Sequence, residues 1–313
     1  MKQKLTSSKV KYLVIFLFIT CFIIGIVAIG WIILDYNHPS QGKVKTFKVR
    51  SSKTINYSPH SKETKEKKII SPVKIKRAAT NHISQADNYA YLTEDVRLAM
   101  KGPLNPQKPK VVFLTFDDGP STINTTKILN ILNQNQVHAT FFLVGNRINP
   151  QTQKLIQKEY EQGNGIGIHS FSHDYSILYP KGVPNSTTVL NEAQKTQNIL
   201  KSFLGPQFNS RVWRYPGGSM SWKNIATSEI LLQKNNYTWI DWNAANGDAL
   251  GSKSPKNITA SLNYHEMSLQ VYPASNVKVV LMHDDNSKEV TIAALPQIIK
   301  YYRDHGYKFG ILK

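Results

Sequence analysis

Cysteine is nearly absent from this chain: Cys21 is the only one among 313 residues. No disulfide can therefore form within one molecule, and no cysteine-based zinc cluster can be built. Acidic residues are scarce as well, 20 against 39 Lys and Arg, which leaves a formal charge of +19. The shortage is uneven. Residues 1–109 hold 19 Lys/Arg against 6 Asp/Glu, a net of +13, whereas residues 110–313 hold 20 against 14, a net of +6. A basic arm of this kind suits a polyanion such as nucleic acid, anionic lipid or an anionic wall polymer.

A sustained hydrophobic period is also missing between residues 35 and 109. Within it, Lys43 to Arg77 carries twelve Lys/Arg and only two acids, Glu63 and Glu66. Such a segment cannot bury enough apolar surface to offset its chain entropy, so 35–109 is predicted to be a basic, mostly disordered linker. Thr93-Glu94-Asp95 ahead of Val96, Leu98 and Met100 predicts one short helix in it, and Pro103, Pro106 and Pro109 mark the entry to a folded domain. Aromatic residues do not interleave with the basic stretch and no base-reading motif occurs, which argues against nucleic acid as partner.

What precedes the linker is the opposite in character. Residues 13–34 are almost uninterrupted Leu, Ile, Val, Phe, Ala and Gly. Such a run, roughly 33 Å long as a helix, predicts one membrane span. Lys2, Lys4, Lys9 and Lys11 in the basic segment 1–12 place the N-terminus in the cytoplasm and the remainder outside it. A cleaved signal peptide is the competing reading, with small residues near Ala28 and Gly30. The run continues through Trp31-Ile32-Ile33-Leu34, however, which favours an uncleaved anchor.

From Lys110 onward short β-rich runs alternate with helical patterns. Strands are predicted at 111–116, 140–144, 165–168, 212–214, 238–242, 277–282 and 309–312. Helices are predicted around 128–132 and near 151–162, 187–204, 223–235, 255–267 and 290–303, the first of them capped by Ser121 or Thr122. Alternation of this kind predicts an α/β domain over 110–313, a distorted and incomplete (β/α) barrel of about seven parallel strands. Reactive residues in such barrels sit at the C-terminal ends of strands.

Four polar clusters of this sequence fall there. TFDDGP at 115–120 sets two adjacent carboxylates, Asp117 and Asp118, after an apolar strand, where they repel unless a cation or proton intervenes. HSFSH at 169–173 spaces His169 and His173 by four, so that in one turn of helix they point the same way and can share a metal. Two histidines and one carboxylate leave coordination positions open for water and substrate. RYPGG at 214–218 offers Arg214, which if buried would hold a carboxylate ionised and oriented. Pro216 has no N–H, so Gly217 supplies the next backbone donor. LMHD at 281–284 places His283 at the same mouth as a proton donor. Each cluster alone reads as an ordinary polar turn. Four at the ends of four strands point to a catalytic site.

In this combination and order the motifs resemble the polysaccharide deacetylases of carbohydrate esterase family 4, the NodB-homology domain. The resemblance covers about residues 110–313 and includes ATFFLVGN at 139–146. It implies that Asp117 is the general base and that Asp118, His169 and His173 hold a divalent metal, zinc first, with cobalt or another divalent ion as alternatives. Arg214 would orient Asp117, the Gly217 N–H would help stabilise the oxyanion, and His283 would be the general acid. Leu281 would line the acetyl pocket, with Tyr215 and Trp242 beside the substrate. One motif departs. The family commonly carries an Asp-Trp pair after the fifth strand, the Asp bracing the catalytic His. Aligning Trp242 with the aromatic before that pair puts Asp248 in the bracing role and Ala249 where Trp is usual, with Asp241 the alternative. The implied activity is hydrolysis of N-acetyl groups on a cell-envelope polysaccharide, peptidoglycan N-acetylglucosamine first and poly-N-acetylglucosamine or a chitin-type oligomer second. A catalytically silent glycan-binding module is the reading from another class. The expected partners are the wall glycan, the membrane through the anchor, and anionic wall polymers through the linker.

Overall fold

The computed structural model describes residues 80–102, 105, 107–271 and 275–313. The span predicted at 13–34, the segment 1–12 and most of the linker lie outside the described residues. No helix among the described residues is long and apolar enough to cross a membrane.

The chain order is β1 (Ala90–Tyr91), α1 (Thr93–Ala99), β2 (Val111–Gly119), α2 (Asn124–Gln134), β3 (Ala139–Leu143), α3 (Gln153–Glu161) and β4 (Gly165–Ile168). There follow α4 (Tyr175–Leu178), α5 (Ser186–Leu204), β5 (Val212–Trp213), α6 (Ala226–Lys234), β6 (Thr238–Trp239) and β7 (Ala244–Ala245). The chain ends with α7 (Ile258–Val271), β8 (Val277–His283), α8 (Glu289–Asp304), β9 (Lys308–Phe309) and β10 (Ile311–Leu312). Seven strands pair in parallel in the order β6-β5-β4-β3-β2-β8-β7, a curled, incomplete barrel, and β9 pairs with β2 off this path.

Strand alternation divides the core in two. Along β2, Val112, Leu114 and Phe116 face outward and pack with Phe141, Leu143, Val280 and Met282 against helix residues such as Ile128, Val189 and Leu295. Val111 and Phe113 face inward, where they meet Phe142, Val212, Ile240 and Val279. Period-two alternation forces this split, because successive side chains leave opposite faces of a strand. Gly167 on β4 stands opposite Phe142, and a Cβ there would lie 2.6 Å from the Phe142 ring. The next inward positions of β2 are Thr115 and Asp117. The strand's apolar interior therefore gives way to polar groups at its C-terminal end.

The seven-strand count agrees with the sequence, but the membership differs. β7 is two alanines and carries no periodic signal; its place is set by pairing with Val280 and Leu281 of β8. The run predicted at 309–312 splits at Gly310, one half pairing with β2 and the other with β1.

The folded region also begins earlier than Lys110. Residues 80–102 were expected in a mostly disordered linker, with α1 its only order. Instead Asn81 Nδ2 donates to Ile166 O at 3.1 Å and to Leu312 O at 2.9 Å. β1 pairs with β10, and Val96 of α1 and Met100 just after it close the floor of the barrel interior together with Leu312. The local sequence is too polar to show a period, and its few apolar side chains are buried only because the barrel leaves an open end.

Candidate active site

Asp117 and His283 sit side by side, in register on β2 and β8 and on the inward face. Asp117 is 2% exposed. Its Oδ1 accepts a hydrogen bond from Arg214 Nη1 at 2.8 Å. Arg214 is wholly buried and spans the interior. Nη1 also donates to Thr115 Oγ1 at 2.7 Å, Nε to Ile240 O at 3.1 Å and Nη2 to Asp241 O at 3.1 Å, while the guanidinium carbon stacks 4.1 Å above the Phe142 ring. A single side chain thus ties the central strand to the segment that follows the edge strand β6. Every partner is an oxygen acceptor or a ring face, as burial of a guanidinium requires.

Asp118, His169 and His173 each bring one ligand atom within 4.8 Å of the others. The histidines are not on a helix, contrary to the one-turn reading. They lie in the loop between β4 and α4, with Ser170 and His173 at φ +65° and +55°. That loop is held from outside. Glu192 of α5 accepts from the Phe171 N–H at 2.9 Å, the Ser172 N–H at 3.1 Å and the Ser172 hydroxyl at 2.7 Å. Thr196 donates to Ser170 O at 3.0 Å, and the Ser170 hydroxyl accepts the His173 N–H at 2.9 Å. Sequence reasoning missed Glu192, which stands 19 residues beyond His173 in the middle of a helical pattern.

The donor set fits a divalent ion. His169 Nδ1 is hydrogen-bonded to Arg214 O at 2.9 Å, which leaves Nε2 bare toward Asp118 at 3.5 Å. His173 Nε2 lies 3.2 Å from the same Asp118 Oδ1, a buried oxygen that no donor meets with proper geometry. Burial pushes the Asp118 carboxyl up, but His173, His169 and His283 more than offset it and hold it well below the usual range. Burial pushes the His169 imidazole down, further than Asp117 and Asp118 raise it. A neutral imidazole and an ionised carboxylate are the forms a metal binds.

His283 is braced by Asp248 rather than Asp241. Asp248 Oδ1 lies 2.8 Å from His283 Nδ1, and Oδ2 accepts the His283 backbone N–H at 2.9 Å and the Thr291 hydroxyl at 2.7 Å. A carboxylate can only accept, so the proton is on Nδ1 and Nε2 faces the mouth. Burial lowers the His283 pKa, yet Asp248, with Asp117 and Asp118 behind it, raises it to about 9. Asp241 is engaged elsewhere, accepting the Ser219 N–H at 2.8 Å and the Ser219 hydroxyl. Thr291 went unnoticed in the sequence, being 43 residues from its partner.

A cavity of about 870 Å³ opens over these groups, with Leu281, Tyr175, Gly217 and Trp242 among its lining residues. Gly217 sits at φ +78°, and its N–H meets no acceptor among the described residues. Tyr215 corrects an expectation. Its ring is fully buried and its hydroxyl donates to Ser228 Oγ at 3.1 Å, so the side chain faces the helix layer and not the substrate. Strand alternation explains this, since Arg214 takes the inward position beside it.

A family model described as polysaccharide deacetylase matches residues 104–234. A peptidoglycan-N-acetylglucosamine deacetylase of Bacillus cereus is 30% identical over 205 residues, covering 66% of this chain and 70% of the relative. The chain belongs to the polysaccharide deacetylase family. It is a hydrolase acting on amide bonds. A Streptococcus mutans CE4 esterase is similar in structure, 45% identical with a TM-score of 0.72, the match covering 76% of this chain and 98% of that one. The polysaccharide deacetylase Bc1974 of Bacillus cereus is 29% identical with a TM-score of 0.55 over 64% of this chain and 91% of its own. Ala249, the position where the resemblance led to an expected Trp, lines the cavity next to Asp248 without adding a ring. Tyr175 and Trp222 are the aromatic residues beside Gly217, where a Cβ would lie 3.1 Å from the Tyr175 hydroxyl and 3.2 Å from the Trp222 ring, and Trp242 packs against Gly218.

Proposed function

We propose that this deacetylase removes the N-acetyl group of N-acetylglucosamine in peptidoglycan, using a divalent ion, zinc first, at Asp118, His169 and His173. One observation carries the reading: a carboxylate fixed by Arg214, a two-His, one-Asp cluster and a carboxylate-braced histidine converge on one cavity. Bound there, the ion would supply Lewis acidity, polarising the acetamide carbonyl and acidifying water.

The chain's own groups divide the remaining work. Asp117, with Oδ1 occupied by Arg214, accepts the proton of the attacking water. The unpartnered Gly217 N–H meets the oxygen that gains charge, a contact typically worth roughly 3 kcal/mol. His283 carries a proton on Nε2 and delivers it to the departing sugar amine. Leu281, 7% exposed, supplies an apolar surface for the acetyl methyl.

The location is part of the proposal: a single-pass anchor at 13–34, N-terminus cytoplasmic, with the catalytic domain outside and the basic linker against anionic wall polymers. Thr80, where the described fold begins, pairs with Phe208, and Asn81 binds the backbone at Ile166 near the start of β4. The catalytic cluster lies at the opposite, C-terminal ends of the strands.

The test is digestion of peptidoglycan by the full-length chain in detergent, with and without chelator, read by mass spectrometry of the muropeptides. Chelator-sensitive loss of one acetyl per disaccharide is expected, with fragmentation placing it on N-acetylglucosamine. His283→Ala should retain metal and lose turnover by roughly 10²- to 10⁴-fold. Activity confined to poly-N-acetylglucosamine or chitin-type oligomers would move the substrate. Silence on every glycan with metal bound would leave a binding module.

A further inference from the structure

The segment between β7 and α7 lines the cavity from Asp248 to Lys256 and carries a small side chain, Ala249, next to Asp248. The cavity continues past Ala249 to Gly251, Ser254 and Lys256, with the Tyr264 ring packed beside Gly247. Its charged groups are nearly all engaged. Asp117 is paired with Arg214, Asp118 lies between two imidazoles, and Asp248 holds His283. The Lys288 ammonium donates to Asp248 O at 3.0 Å and lies 3.7 Å from Asp285. Lys256 is the exception. It is exposed and forms no ion pair among the described residues, and the neighbouring Lys253 adds a second unpaired cation just outside the cavity.

A glycan whose reacting sugar lies over His283 and whose chain continues toward Ala249 brings its next residue against this cation. We propose that Lys256 forms a subsite for a carboxylate carried on the sugar next to the one that is deacetylated. The inference rests on the peptidoglycan reading above, in which that neighbour bears either a free lactyl carboxylate or an acidic stem peptide. A neutral homopolymer offers nothing to this subsite, so Lys256 would let one catalytic centre favour the charged polymer.

The experiment compares the full-length parent with Lys256→Gln, Lys256→Glu and Lys256→Arg on three substrates. These are a neutral β-1,4-N-acetylglucosamine tetramer, glycan strands stripped of peptide, and peptide-bearing strands. Lys256→Gln is expected to raise KM about two- to fivefold on a charged substrate, the range of an exposed ion pair, with kcat unchanged. Lys256→Glu should raise it further, Lys256→Arg should keep the parent value, and salt near 1 M should shrink the differences. The neutral tetramer should respond to none of them. An effect on stripped strands alone assigns the lactyl carboxylate, and an effect on peptide-bearing strands assigns the stem. Equal changes on all three substrates, or none on either charged one, overturn the subsite. Parent chain silent on all three would instead remove the deacetylase reading and the subsite with it.

Discussion

Opposing influences meet at His283. Burial disfavours its charged form, and Asp248 restores it more strongly, to a pKa of about 9. A general acid must hold its proton, so turnover should fall as pH rises through about 9. Asp248→Asn leaves a hydrogen-bonding shape without the charge, and should move that alkaline limb down toward the ordinary histidine value near about 6.5. A pH–rate profile checks this, and an unmoved limb would remove Asp248 from the bracing role. The same pair bears on stability. Its contribution is complete below the unfolded-state value of about 6.5 and is lost as pH climbs through the folded one. At this scale much of the site was legible, because Asp117, Asp118, His169, His173, Arg214 and His283 each stand at a strand end beside turn-forming residues. Tyr215 was misplaced because the alternation that turns Arg214 inward sends its sequence neighbour to the opposite face, against the helix layer.

The elements show where patterns succeed and where they fail. β2 carries an apolar run that ends in two acids, so both its existence and its functional end could be read. The His169–His173 loop could not. Spacing by four fits one helical turn, but left-handed backbone at two positions and the clasp of Glu192 produce the same convergence without a helix. α3 holds a cost that the pattern hides. Glu159 is fully buried with both carboxylate oxygens unpartnered among the described residues, and burial raises its pKa well above normal. A carboxyl raised in the fold stabilises least where the unfolded chain is already ionised, so stability should decline as pH rises above about 4.3. Glu159→Met keeps the volume and removes the unpaired oxygens. It should gain about 1–3 kcal/mol at pH 7 and less at pH 4, measured by urea denaturation at both. A loss at pH 7 would show that the carboxylate has a partner that matters.

Across the whole molecule, the floor of the barrel is built from the segment that reads as linker. A chain starting at residue 110 lacks Val96 and Met100, whose burial is worth roughly 2 kcal/mol each, and lacks the Asn81 bonds to Ile166 and Leu312. It should melt well below a chain starting at residue 72 or be recovered insoluble, as thermal denaturation would show; equal melting temperatures would make the floor dispensable. By itself, the sequence determined the alternation of strand and helix, the strand ends that bear reactive side chains, and the family, because period, turn chemistry and motif order are local properties of the chain. Only the tertiary structure decided that Asp248 rather than Asp241 braces His283, that Glu192 and Thr291 support the site, and that residues 80–102 belong to the fold. Those outcomes depend on which groups the curled sheet brings together from distant parts of the chain, and no local pattern records that proximity.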